Sequence, residues 1–541
     1  VSESSKPARS LAGIAGIVAI ATLISKVFGL VRQVAIAAAF GLGAAYGAYQ
    51  YSAIIPGFFL ILLGGINGPF HSAMVSALAK RNKEEAAPLV ETVSTVVGGV
   101  LLIVTLILIA FAPQFIDLIA PGLHQTAHTM EVRAIAIQQL RIMAPIAWFA
   151  GMIGIGFGTL NAADLYWLPS VSPLLSSVTI VIGVGALAFY LGRNIVEPQY
   201  AAIGGIVLAW AALAGTILQW LAQVWAQHKA GLSRFRLGFD FQNPGVQDVM
   251  KVMGPALFAS GMLQINVYTD MFFTSFLPNP GAAVSALDYA NLLVQTPLGI
   301  LSNMILVPFL PVFSRLSDPK DWGELKMRIR QGLLTTAIAM LPLSALMIAL
   351  ANPIVRVVYE RYAFKLSDSN LVALVLMAYA IGMFVYLSRD VLVRVFYALG
   401  DGDTPFRISI VNIFLNALFD FLLIKPLGLP GLVLATVSVN VISTIALLWF
   451  LNRKLNGLPL REWILPVVGL TLGSAIAGLA SWGTLLGLQA ALGNQGLPIL
   501  LIQLCLSGLV GLSLFALFAT RLKLPEIDLF VDRIRQRFVK S

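Results

Sequence analysis

The sequence predicts an all-α polytopic membrane protein with about 14 transmembrane helices. Three observations lead there. First, 58% of the 541 residues are hydrophobic and only 11% are charged, against about 25% charged in an ordinary soluble chain; mean hydropathy is +0.87. Second, the apolar residues fall in long runs and not in the alternating short segments of a membrane β-barrel. Third, one pair of runs in each half is interrupted by Pro and Gly in corresponding places. The third observation suggests the architecture: two six-helix lobes, 1–229 and 230–454, around a central cavity, then two additional helices and a basic amphipathic tail, 455–541.

The runs lie at approximately 11–40, 46–79, 89–119, 130–160, 168–191, 200–228, 247–277, 282–313, 327–350, 368–399, 406–424, 430–451, 462–487 and 496–520. Lys6 and Arg9 precede the first, which continues past Lys26 without a persuasive cleavage site, so it is read as a retained helix. Alternate loops, counted with both termini and Lys251, carry 24 Lys and Arg on one side of the membrane, and the opposite loops carry five. The positive-inside bias then puts both termini in the cytoplasm. The net charge of +10 is scattered through these short loops, so it reflects topology and not nucleic-acid binding. The tail from Arg521 alternates Leu529, Phe530, Ile534 and Phe538 with arginines and suits an anionic membrane surface. The single cysteine, Cys505, excludes an internal disulfide.

In the first half, Lys26 and Arg32 precede a run broken by Pro56, Gly64-Gly65, Gly68 and Pro69 and carrying Asn67 and His71. In the second, GPALFASGMLQINVYTDMFFTSF is followed by a PNPG turn and a helix with Asp288, Asn291, Pro297, Pro308 and Pro311. Polar heads and helix breakers at this depth are tolerated where a helix lines a cavity or a water path. Lys26 and Arg32 lie about 120° apart around one helix, both able to border a wide chamber. A buried cation needs a partner, here an anionic substrate such as a phosphate; the alternative is snorkelling to the interface. Arg141, in QQLRIMAP, lines or caps the chamber.

Asn416 and Asp420 are four apart in VNIFLNALFDFLL, on one helix face, and Thr436 returns on the next helix after PLGLPG. With Asp270 they offer hard oxygen donors for Na⁺ or H⁺ and not for a transition metal. The alternative is protonated carboxyls tying helices together. His71 reads equally as a packing residue, and His124 with His128 lacks a third ligand. Arg389, Asp390 and Arg394 read as a salt-bridged structural cluster. No Walker A, HExxH or nucleophile-elbow motif occurs, so the expectation is a transporter and not an enzyme, with no cofactor beyond a coupling ion.

Four stretches carry a resemblance over nearly the whole chain: SKVFGLVRQ with FGLG, LRIMAP, VMKVMGPALF, and VFYALGDGDTPFRISIVNIFLN. The chain resembles the MurJ (MviN) lipid II flippases, within the multidrug/oligosaccharidyl-lipid/polysaccharide exporter superfamily. The resemblance implies alternating access around a cationic cavity. The cargo it implies is an undecaprenyl-pyrophosphate disaccharide-pentapeptide, moved outward across the bacterial inner membrane for peptidoglycan synthesis; the expected partners are membrane lipids, with the chain a monomer and no nucleic acid involved. Arg32 matches the family's first-helix arginine, Lys26 stands where arginine is usual, Asp270 matches a frequent aspartate, and Asn416, Asp420 and Thr436 match a sodium-like cluster. Lys26, Arg32, Asn67, His71, Arg141 and Asn291 are the substrate-binding candidates. The chain departs from the family at Leu60 and Ile61, in place of an arginine pair, at Asn67 for an acid, at Asn291-Leu292 for an Asp-Arg pair, and at Gln33 and Gly47 for acids. These departures keep two other readings open: an exporter of another polyprenyl-linked glycan or of drugs, and a non-transporting envelope scaffold.

Overall fold

The computed structural model describes residues 11–65, 69–78, 83–232, 236–240 and 265–523, with isolated positions at 242–251 and at 525–526. Every regular element among them is a helix. In order these are α1 (Leu11–Phe40), α2 (Ala44–Leu62), α3 (Pro69–Leu78), α4 (Lys83–Ala110), α5 (Ala112–Ile119), α6 (Ala127–Met143), α7 (Ile146–Ala162), α8 (Trp167–Val171), α9 (Leu174–Leu191), α10 (Ala201–Lys229), α11 (Ile265–Thr274), α12 (Pro280–Arg315), α13 (Trp322–Ala349), α14 (Ala351–Tyr359), α15 (Leu366–Ala398), α16 (Asp403–Leu427), α17 (Leu429–Lys454), α18 (Leu460–Leu492) and α19 (Leu497–Arg521).

Eleven described helices are long and apolar enough to cross a membrane, or twelve when α6 and α7 count as one span bent by 41°. The bend sits at LRIMAP: Pro145 has no N–H to give to the carbonyl of residue 141, and its ring crowds that turn. The count of fourteen is not confirmed. Run 46–79 is described as two helices, α2 and α3, and of run 247–277 the structure describes little before α11.

Contacts divide the chain into two units, Val1–Ser285 with Arg361–Phe364, and Ala286–Glu360 with Lys365–Ser541. The boundary between the units falls inside α12. In the first unit α10 packs on α9, α7 and α6, α2 packs on α6, and α3 and α4 pack on α7. Its core includes Tyr51, Ile116, Val132, Ala136, Leu140 and Val284. α2 meets the start of α12 so closely that a Cβ on Gly47 would lie 2.4 Å from Gly281 Cα. The backbone N–H of Ala363 donates to Ala38 O at 3.0 Å, tying the 361–364 loop to α1.

In the second unit α13 packs on α15 and α18, α17 on α15 and α16, and α19 on α18. The last two helices dock through Ala337, Leu470, Ala477, Phe515 and Ala519. Arg356, on α14, pins their turn by donating to Asn494 Oδ1 at 2.7 Å while pairing with Glu360 at 2.6 Å. Leu465, Leu472, Leu479 and Leu509 remain exposed, a lipid-facing pattern. GDGDTP is a cap: the Asp401 carboxylate accepts from the Thr404 N–H at 3.0 Å, the Thr404 hydroxyl at 2.9 Å and Lys454 Nζ at 2.8 Å. Burial pushes the Asp401 carboxyl up, but Lys454 and the two Thr404 donors together outweigh it and hold the group below the usual carboxylate range.

Candidate functional site

On α1, Lys26 is exposed and Arg32 is half-buried. The Nε of Arg32 is buried and has no hydrogen-bond acceptor among the described residues. A guanidinium cannot shed its charge, so that N–H is a donor held ready for an acceptor. Next to it the Gln33 amide donates to the Tyr46 hydroxyl, which also accepts from Gln50 at 2.8 Å. A neutral network therefore stands at Gln33, one of the positions where the family often has an acid; at another, Gly47, the space is filled by the α12 backbone. His71 Nε2 lies 2.8 Å from Asn161 Nδ2, joining α3 to α7. Arg141 is exposed in the last turn of α6. Asn67 lies outside the described residues. Leu60 is half-buried and Ile61 exposed.

The second unit holds the other cluster. Gly428, at φ +60°, ends α16 and starts α17 at once, a left-handed backbone that favours glycine. The tight return brings Thr436 beside Asn416. Asn416 Nδ2 donates to Asp420 Oδ2 at 2.9 Å, and Thr436 Oγ1 donates to Asn416 Oδ1 at 3.3 Å. Asp420 is fully buried and Asn416 nearly so. Asp270 lies on α11 in the first unit, and Asn291 is half-buried on α12 in the second. Three of the four proposed cation ligands thus share one hydrogen-bonded group.

That group continues. Asn440 Nδ2 donates to Thr436 O at 2.8 Å. Asn440 in turn lines a cavity of about 260 Å³ with Gln295, Ser302, Tyr386, Arg389 and Asp390. Sequence reasoning missed this cavity. The signal was the polar stripe Thr436, Asn440, Ser443 on one face of α17, at helical spacing. The salt-bridged reading of 389–394 is corrected here. Arg389 donates to Ser443 Oγ at 3.1 Å and Ser409 Oγ at 3.5 Å, while Asp390 forms no ion pair among the described residues. Successive helical residues point about 100° apart, and the serines hold the guanidinium on its own side.

Outside the spans, Asp117 accepts from Arg133 at 2.6 and 2.8 Å and lies 3.0 Å from His124 Nε2. The Arg133 hydrogen bond holds the Asp117 carboxyl below its usual range, against the smaller effect of burial. His124 is thereby engaged with Asp117, and no group of three metal-ligating side chains occurs among the described residues.

The family model described as "Lipid II flippase MurJ" matches residues 36–502. The chain belongs to the MurJ family. A relative from Synechocystis sp., named "Probable lipid II flippase MurJ", is 54% identical over 99% of both chains. One from Burkholderia cenocepacia, named "Lipid II flippase MurJ", is 28% identical over 85% of this chain and 88% of its own. Among solved structures, a MurJ in an inward closed conformation matches with a TM-score of 0.74 over 94% of this chain and 99% of that one, at 24% identity. An inward-facing multidrug resistance transporter of the MATE family shares the fold, with a TM-score of 0.60 over 82% of this chain and 98% of that one, at 14% identity. Membership of the MurJ family accounts for the all-helical architecture.

Proposed function

We propose that this protein is a lipid II flippase, carrying the undecaprenyl-pyrophosphate-linked peptidoglycan precursor from the inner to the outer leaflet of the bacterial inner membrane. The full-length identity of 54% to a relative of that name carries the reading. The residues fit the chemistry. A diphosphate needs cations, and Arg32 holds a buried N–H without an acceptor among the described residues; a bidentate, permanently charged fork is suited to phosphate. Lys26 supplies a second charge, and Asn67, His71, Arg141 and Asn291 supply further polar contacts to the head group. A polyprenyl tail stays in lipid.

Transport draws on membrane potential or a cation gradient, one charge being worth roughly 2.3 kcal/mol per 100 mV. Asn416, Asp420 and Thr436 take Na⁺ or H⁺, and Asp270, in the first unit, is a further cation-binding candidate. Both termini lie in the cytoplasm. Leu60, Ile61 and Leu292 stand where the family's charges are usual, and this favours, as a second reading, a flippase for another polyprenyl-linked glycan. Replacing a conditional lipid II flippase by this gene separates the two. Survival on depletion is expected; death with the protein correctly inserted favours the second reading.

A further inference from the structure

The cavity bounded by α12, α15 and α17 is lined by two opposite charges, Arg389 and Asp390, that form no direct ion pair with one another. Arg389 is tethered to Ser443 and Ser409 on α17 and α16. Asp390, exposed and lining the same space, has neither hydrogen bond nor ion pair among the described residues. Arg394, one helical turn on, does not close such a pair. Asp390 sits roughly 12 Å from the end of its spanning helix. A carboxylate at that depth is costly unless a cation closes on it, and Arg389 and Arg394 act on Asp390 only through space, without a hydrogen bond or ion pair. Two serines instead stabilise the separated arrangement. Gln295, Ser302 and Asn440 add neutral polar groups to the same walls.

We infer that this cavity binds a compact zwitterion, with its ammonium at Asp390 and its acidic group at Arg389. The two protein charges face one space from different directions, so a ligand of one sign meets attraction and repulsion together, whereas a ligand carrying both signs satisfies each. The volume of about 260 Å³ lies just under the ~300 Å³ of small ligand pockets. It admits a head group of amino-acid size. Resting on the flippase reading, the zwitterion is the free α-amino acid end of a side chain in the cargo's peptide stem. A zwitterionic phospholipid head offers the same chemistry, and the test separates the two sources.

The test compares flipping of two lipid II molecules by the purified full chain in vesicles. In one, the third residue of the stem ends in a free α-amino acid; in the other, it ends in an amine alone. Vesicles are made with and without phosphatidylethanolamine. The expected result is a preference of at least about tenfold for the zwitterionic stem in both membranes. It should fall to near unity in Arg389→Gln and Asp390→Asn and be retained in Arg389→Lys, which keeps the charge. A preference visible only without phosphatidylethanolamine assigns the cavity to the lipid head. Equal flipping in both membranes, or a preference that survives both neutral variants, overturns the inference. Calorimetric titration of the corresponding soluble stem peptides reads the same cavity without transport. Preference there with no flipping overturns the flippase reading alone, and no preference there with no flipping overturns both.

Discussion

At the scale of single residues, Arg32 carries a permanent charge and a buried Nε–H with no acceptor among the described residues. Arg32→Ala is expected to abolish outward movement of lipid II while leaving the thermal melt of the purified protein unchanged; normal accessibility of lipid II at the outer face would remove this guanidinium from the mechanism. Arg32→Lys should retain only part of the activity, since a lysine keeps charge but loses the two-pronged geometry. Asp420→Asn is expected to remove any sodium dependence of transport, read as the ratio of rates with and without sodium; an unchanged ratio would make the Asn416–Asp420–Thr436 group a helix tie. Asp117 carries a pH prediction. Its folded pKa is depressed, so its contribution to stability is present above the ordinary carboxylate value of about 3.9 and is lost as pH falls through the lower folded value. Asp117→Asn should flatten the acid limb of a melting-temperature profile, and an unaltered limb would assign acid sensitivity elsewhere. The fate of Arg389 and Asp390 was not legible, because two neighbouring opposite charges read as a pair until the serines on other helices are placed.

At the scale of helices and their joints, breaks were legible and close approaches were not. LRIMAP ended a helix in the sequence, and it bends the α6–α7 span in the structure, because a proline acts through its own chain. Gly47 was visible only as a missing acid. Its reason lies across the packing, at Gly281, 234 positions away in the chain. Gly47→Val should force α2 and the start of α12 apart at a cost of about 1–3 kcal/mol, measured as a lowered melting temperature in detergent. A wild-type melt would mean that this contact is easily given up. The PLGLPG joint belongs to the legible class: a tight turn predicts which residues of two antiparallel helices meet, and Thr436 does meet the Asn416–Asp420 face.

For the molecule as a whole, hydropathy sufficed for the class and for twelve of the expected spans. The remaining two were legible as apolar runs only. Run 46–79 carries enough Gly, Pro and polar residues to be described as two helices, and run 247–277 lies largely outside the described residues before α11. Grouping into units depends on which surfaces touch: α11 packs with α5, and Ser275 Oγ accepts from Gly122 N at 3.0 Å, both within the first unit. The basic tail was expected only to touch the membrane. Its start instead pairs Glu526 with Arg330 of α13 at 2.7 Å; beyond 526 the tail lies outside the described residues. Trimming after Arg521 should therefore lower thermal stability, by about 1.5–3 kcal/mol for a charged hydrogen bond, and spare flipping. Complete loss of flipping in a trimmed protein that still melts cooperatively would give the tail a part in transport.

The lone thiol has a practical corollary. Cys505 is exposed on α19, roughly 12 Å from the start of that helix, so a hydrophobic nitroxide attached there reports acyl-chain order beside the protein. Exchanging that one sulfur for oxygen, Cys505→Ser, yields a blank background on which paired spin labels can measure distances between any two helices during turnover.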